Sequence, residues 1–363
     1  MTQKTSLHDI HQSLGARLVD FAGWELPVQY QGILAEHKHC RTATALFDTC
    51  HMGQMLITGP NAAKAISGAI TQDAQKLPVG RCKYGFILNE AGGVIDDQIL
   101  MRLSEDEFFL VVNAATAGHD HEIIAERLGN EGVQMRPSDN WGKLDVQGPT
   151  SLSVLAPFCE HDITEMKYFS VVRTKILGHD CILSRTGYTG ELGWEIYISN
   201  EVLPELFSKL LENPEVKPAG LGARDSLRLE MAMALYGHEL AEDINPLEAS
   251  MDFFIDLDRE YVGVQGLRDA GKPTRKLVNL TTAQRRRFNT GDKIFAGEKE
   301  IGEITSGVFA PSLSYAIGMG FVEIDHSEPG TELIIRTAKA NIAATITTGP
   351  FYKEGTARKK IAK

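Results

Sequence analysis

The sequence predicts a multi-domain α+β protein that runs into a small all-β barrel or roll. Its 363 residues, 43% hydrophobic and 23% charged, are enough for two or three domains with real cores. One strand, Gly-Pro, helix pattern occurs twice, in MGQMLITGPNAAKAISGAI from Met52 and in KLDVQGPTSLSVLAPF from Lys143. Beyond Lys276, short strand patterns are punctuated by Gly291, Gly297, Gly302, Gly307, Gly318, Gly320 and Gly330, the spacing of a β-barrel of roughly 85 residues.

Taken in order, Ser6 to Gly15 reads as a short helix and Arg17 to Gly23 as a strand. In FAGWELPVQY, Gly23 and Pro27 forbid a regular helix, and the aromatics need packing or a ligand. Ile33 to Arg41 is predicted helical, with a strand near Ala45 to Asp48. His37 and His39 lie two apart, a poor spacing for helical metal ligands.

Tyr84 to Leu88 is predicted as a strand and Asn89 to Gly93 as a turn, its paired glycines allowing positive φ. The next strand, through Val94, Ile95, Ile99, Leu100 and Met101, is interrupted by Asp96 and Asp97. Strand alternation sends these two carboxylates to opposite faces, so one points into the protein or a cavity unless both flank a solvent edge. A strand from Phe108 to Asn113 precedes a helix from Thr116 to Leu128, and Asn113 is read as the helix cap ahead of a ligand contact. His119 and His121 read as solvated.

Two further strands, Tyr168 to Thr174 and Asp180 to Ser184, lead to RTGYTGELGWEIYI. There Glu195 alternates with Trp194, on either a solvated or a functional face. Helices are predicted from Glu201 to Glu212 and from Leu221 to Tyr236, the second stopped by Gly237. Arg224 shares a face with Leu227, Met231 and Leu235 and needs an acidic partner, for which Glu195 is the candidate. KEGTARKKIAK is predicted to be a basic, frayed tail.

The net charge of -11 argues against nucleic-acid or anionic-membrane binding, while leaving room for a local basic pocket. No signal-peptide core and no bilayer-length apolar stretch is found. Cys40, Cys50, Cys82, Cys159 and Cys181 read as reduced thiols, which fits a cytoplasmic protein without a bound metal. Walker, GxGxxG, GxSxG and HExxH patterns are missing.

Several segments together resemble one family: HQSLGARLVDFAGWELPVQY, FDTCHMGQMLITGP, GGVIDD, RTGYTGELGWEIYI, LGARDSLRLEMAMALYG and GEITSGVFAPSLSYAIGMGFV. The chain resembles the aminomethyltransferases of the glycine cleavage system, the folate-binding T-protein family. The resemblance implies three domains in a clover-leaf around a central folate funnel. Expected boundaries are 1–50 plus 138–275 for the first folate-binding domain, 51–137 for the second and 276–363 for the β-rich third. It implies transfer of the methylene carbon from an aminomethyl group, carried on the lipoyl arm of the H-protein, to tetrahydrofolate. Ammonia is released and 5,10-methylenetetrahydrofolate forms. A monomer is favoured, and Arg285, Arg286 and Arg287 read either as a patch for docking the carrier or as a solvated β-turn cluster.

By motif position, Asp97 is the expected catalytic carboxylate and folate contact. Tyr84, Asn113, Tyr188, Glu195 and Arg224 are the other expected folate-binding residues. The chain departs from the family at Cys50, where serine is common, at Gly85, and at Asp252-Phe253-Phe254, where a tryptophan is common. A folate-dependent demethylase of a small methylated substrate, or a non-catalytic folate-binding protein, is the alternative.

Overall fold

The computed structural model describes residues 2–129, 132–137 and 140–361. Chain contacts divide it into two compact units: Met1–Gly85 with Gln98–Asp225 and Glu354–Lys363, and Phe86–Asp97 with Ser226–Lys353. The architecture is α+β with multiple domains and a closed barrel.

In the first unit, a six-stranded sheet has the order Val171–Ile176, His179–Ser184, Gly193–Ser199, Trp141–Gln147, Thr44–Asp48, Val216–Pro218. Neighbours are antiparallel except the last pair. Alternation sorts its side chains. Leu46, Leu144, Val146, Leu183, Trp194, Ile196 and Ile198 form an apolar core with the helix Leu203–Leu211. The opposite face carries Lys143, Asp145, Glu195 and Tyr197, and it too is buried.

What covers that second face is a five-stranded sheet, Cys82–Leu88, Val94–Ser104, Glu107–Val112, Gly53–Thr58, Gln134–Pro137. Leu56, Met101, Phe109 and Val111 meet Ile182 and Tyr197, with the Phe109 and Tyr197 rings edge to face at 5.1 Å. Both Gly-Pro units fold as strand, turn and helix, to Ala62–Ala69 and Ser151–Leu155. Their glycines share one conformation, φ 132° at Gly59 and 135° at Gly148, and a Cβ would sit 2.0 Å from Gly132 O and 1.8 Å from Ala43 O.

Near the start, Arg17–Phe21 and Trp24–Gln29 make a hairpin. Ala22 and Gly23, at φ 51° and 81°, form its two-residue turn.

The second unit contains the closed barrel of Arg275–Thr281, Tyr315–Glu323, Lys299–Ala310, Lys293–Ala296, Glu332–Arg336 and Asn341–Thr347. Closure leaves no strand edge unpaired, and Val278, Leu280, Phe288, Ile294, Ile304, Val322 and Ile335 fill the interior.

Three expectations are corrected. The helix from Leu221 ends at Glu230, not Tyr236, because Ala232 takes φ 53° and reverses the chain. Asn113 does not cap the helix Ala117–Leu128; Thr116 holds the cap position and its hydroxyl donates to Asn113 O at 3.3 Å. The basic segment after Lys353 is not frayed over residues 354–361. Arg185 Nη2 donates to Lys359 O at 2.7 Å, and Ile361 packs on the apolar core of the six-stranded sheet.

Candidate functional site

Within the first unit, the antiparallel register places Glu195 opposite Asp145 and Tyr197 opposite Lys143, so four polar side chains share one covered face. Lys143 Nζ donates to Asp145 Oδ1 at 2.5 Å and to Glu195 Oε1 at 2.7 Å. Thr49 Oγ1 donates to Asp145 Oδ1 at 2.9 Å. Arg224 Nη1 reaches Asp145 Oδ2 at 2.9 Å, and its guanidinium lies over the Tyr188 ring, 4.9 Å from the centroid. Two cations and two carboxylates make the cluster neutral, which is how such a group survives burial.

The expected pairing is therefore corrected. Arg224 pairs with Asp145, and Glu195 pairs with Lys143. Glu195 is only 5% exposed, so the solvated-face reading fails. Its Oε2 accepts from Thr186 Oγ1 at 2.5 Å and Tyr197 OH at 3.2 Å. A carboxylate offers about four acceptor positions. Oε1 accepts from Lys143 alone among the described residues, so by count it has acceptor capacity left. Arg224 donates from Nη1 to Asp145, and its side chain keeps 15% of its surface exposed.

Burial alone would raise the Asp145 carboxyl, but Lys143 and Arg224, with the hydrogen bonds from Lys143 and Thr49, bring it below the usual carboxylate range. Burial is also the main reason the His51 imidazole falls to about 4, and the positive charges of Arg224 and Lys143 add to it against Asp48 and Asp145. His51 is neutral near pH 7, its Nδ1 is buried without a hydrogen-bond partner among the described residues, and the Phe21 ring meets it edge-on at 5.6 Å. The thiol of its neighbour Cys50 is raised, chiefly by burial.

Below this loop, a second polar set fixes the chain that carries Thr49. His11 Nε2 meets Asp48 Oδ2 at 2.9 Å, Tyr30 OH meets His11 Nδ1 at 2.8 Å, and Thr5 Oγ1 donates to the same Asp48 oxygen at 2.6 Å.

Asp97 lies on the segment Phe86–Asp97 of the second unit. Of the two acids, Asp96 is fully buried and Asp97 is half-buried, so alternation separates them as the sequence implied. The preceding turn is tightly specified. Asn89 Oδ1 accepts from Ala91 N at 3.0 Å and Gly93 N at 2.9 Å, and Asn89 Nδ2 donates to Glu242 O at 2.9 Å. Gly92 supplies the positive φ, 86°, whereas Gly93 is needed for space, since a Cβ there would lie 1.9 Å from Glu242 O. Val94 N donates to Ala241 O and Ile244 O, which anchors the strand that carries Asp97.

Of the expected residues, Tyr188, Glu195 and Arg224 are thus brought into one network. Tyr84 is half-buried on the strand Cys82–Leu88, and Asn113 is half-buried directly after Glu107–Val112. Lys143 and Asp145 were not singled out from sequence, although two charges at i and i+2 in the apolar run KLDVQ were a usable signal. No group of three or more His, Cys, Asp or Glu side chains is arranged to hold a metal ion among the described residues.

Two family profiles account for most of the chain. One described as the GCVT N-terminal domain matches residues 7–259, and one described as the glycine cleavage T-protein C-terminal barrel domain matches residues 275–353. The chain belongs to the T-protein, or aminomethyltransferase, family. It is 41% identical over 360 residues to an aminomethyltransferase of Saccharopolyspora erythraea, covering 97% of this chain and 98% of that one. An aminomethyltransferase of Halalkalibacterium halodurans is 38% identical over 362 residues, with 97% and 99% covered. The crystal structure of the glycine cleavage system aminomethyltransferase T from Bartonella henselae superposes with a TM-score of 0.94 at 32% identity, over 99% of this chain and 100% of that one. Membership in the T-protein family supports folate-dependent one-carbon transfer by an enzyme of the aminomethyltransferase class.

Proposed function

We propose that the chain is the aminomethyltransferase of glycine cleavage. It takes the methylene carbon from the aminomethyl group on the lipoylated H-protein and delivers it to tetrahydrofolate. The observation that carries this reading is the convergence of Tyr188, Glu195 and Arg224, three positions named by family motifs, on one buried neutral network.

The chemistry forms two carbon–nitrogen bonds, to N5 and N10 of the folate. It breaks the bond from carbon to the amine nitrogen and the bond from carbon to sulfur. The N5 and N10 protons end on ammonia and on the dihydrolipoyl thiol. Asp97 supplies a carboxylate where positive charge develops at N5. Glu195, with its remaining Oε1 acceptor position, suits the amide and amino edge of a pterin. Tyr188 and Arg224, stacked on each other, are assigned to the same ligand by motif position. Tyr84 and Asn113 are assigned as further folate contacts by motif position. Arg285, Arg286 and Arg287, all exposed on a barrel loop of a chain with net charge -11, are the proposed contact for an acidic carrier. Five free cysteines fit a cytoplasmic place of action.

The test compares donors. Methylenetetrahydrofolate formation is measured with aminomethyl-loaded lipoyl carrier and with small methylated amines. Turnover on the carrier supports the reading. Tight tetrahydrofolate binding with turnover only on small amines replaces it with the demethylase, and binding with no turnover on either leaves a non-catalytic folate binder.

A further inference from the structure

We infer that residues 354–361 are a strap that sets the position of the Arg185–Leu192 loop, with Thr356 as its positioning residue. The inference rests on the function proposed above only for the identity of the ligand.

The matched barrel residues stop at 353, and the chain from Glu354 onward belongs to the first unit. Thr356 engages Glu191 twice, through its N–H at 3.2 Å and its hydroxyl at 2.5 Å, both to Oε2. The same hydroxyl oxygen accepts from Leu192 N at 2.8 Å, and Ala357 N donates to Gly190 O at 3.0 Å. Glu191 is 2% exposed, with Oε1 on Arg41 Nη1 at 2.9 Å. Thr356→Ala removes the hydroxyl donor and leaves this buried charged oxygen with the backbone N–H alone, and loss of the strap removes both. The other end of the loop is held by backbone. Arg185 is 4% exposed and spends Nη1 on Met166 O at 2.6 Å and Nη2 on Lys359 O and Ala357 O at 2.7 and 3.2 Å.

Between these two anchors lie the residues that touch the site. Thr186 bonds Glu195, Tyr188 lies under Arg224, and Thr189 Oγ1 donates to Gln147 Oε1 at 2.9 Å. The loop passes close to Gln147, since a Cβ at Gly187 would be 2.0 Å from Gln147 Oε1. The strap acts through Glu191 and Arg185, which fix where Thr186 and Tyr188 stand.

The experiment measures amide hydrogen exchange at Tyr188 and Glu191 in the ligand-free protein, then tetrahydrofolate affinity, for wild type, Thr356→Ala, Thr356→Ser and a form lacking residues 354–363. The Glu191 amide bonds Thr189 Oγ1, not the strap, so its exchange reports the loop itself. In Thr356→Ala we expect exchange at both amides to rise about tenfold, and the tetrahydrofolate dissociation constant to rise about tenfold, as loss of a charge-assisted hydrogen bond implies. Thr356→Ser restores both, and the shortened form exceeds Thr356→Ala in exchange. Unchanged exchange in Thr356→Ala and in the shortened form overturns the strap. Faster exchange with unchanged affinity overturns its positioning role. If wild type does not bind tetrahydrofolate, the proposed function falls while the exchange data still decide the strap.

Discussion

Arg224 bonds Asp145 at 2.9 Å, and through that carboxylate it is joined to Lys143 and Glu195. The arginine is thus one end of a chain of alternating charge, with Tyr188 against its face. Lysine at this position keeps the charge but loses the planar fork and the ring contact. Arg224→Lys is expected to weaken tetrahydrofolate binding about tenfold or more, measured by calorimetric titration, with the melting temperature shifted by only a few degrees.

Lys143 is the centre of the cluster. Replacing it by methionine keeps most of the volume and leaves Asp145 and Glu195 buried without their shared cation. Breaking a buried pair this way costs about 3–5 kcal/mol. Urea unfolding of Lys143→Met should show a loss of that order, and the double variant Lys143→Met, Glu195→Gln should recover part of it. A loss below about 1 kcal/mol would mean the carboxylates find water or protons at little cost.

The acid side of the stability profile has two steps. His51 has a folded value near 4 against the usual 6.5, so the unfolded chain binds the extra proton between these values. Stability from this source is complete above pH 6.5, falls as pH drops from 6.5 to 4, and is lost by about 3 kcal/mol below that. His51→Asn should flatten that window in melts taken from pH 7 to pH 4. Asp145 is also shifted downward, below 3.8, so its contribution persists through this window and is lost only as pH falls below 3.8 toward its folded value.

Gly93 and Gly92 should respond differently to alanine. A Cβ at Gly93 meets Glu242 O at 1.9 Å and forces the turn before Asp97 to move. One at Gly92 adds a φ of 86° that L side chains avoid, along with contact to Leu267. Overpacking of this kind costs about 1–3 kcal/mol. Gly93→Ala should lower turnover at saturating folate more than Gly92→Ala does, because Gly93 holds the hydrogen bond that spaces Asn89 from Val94.

Much of the fold was legible because its signals are local. Glycine punctuation marked the barrel from Lys276, and the Gly-Pro steps at Gly59 and Gly148 marked two strand-to-helix turns. The site was legible only where motifs named residues. Arg224 visibly needed an acid, but pattern gave no way to choose Asp145 over Glu195, since the choice is made by the pairing of two strands 50 residues apart in sequence. The early end of the helix at Glu230 was hidden because a non-glycine residue, Ala232, takes the positive φ. The strap was hidden for another reason. Its composition is basic, yet two of its anchors are the carbonyls of Ala357 and Lys359, which no side-chain pattern reveals.

The most direct measurement is a single turnover of aminomethyl-loaded lipoyl carrier with tetrahydrofolate, wild type against Asp97→Asn, with folate affinity measured alongside. The account predicts rapid formation of methylenetetrahydrofolate by wild type and a loss of at least about 100-fold in Asp97→Asn while folate stays bound, the scale of removing one electrostatic partner of a transition state. Unchanged turnover in Asp97→Asn would contradict the assigned carboxylate, and no turnover by wild type on the loaded carrier would contradict the reaction itself.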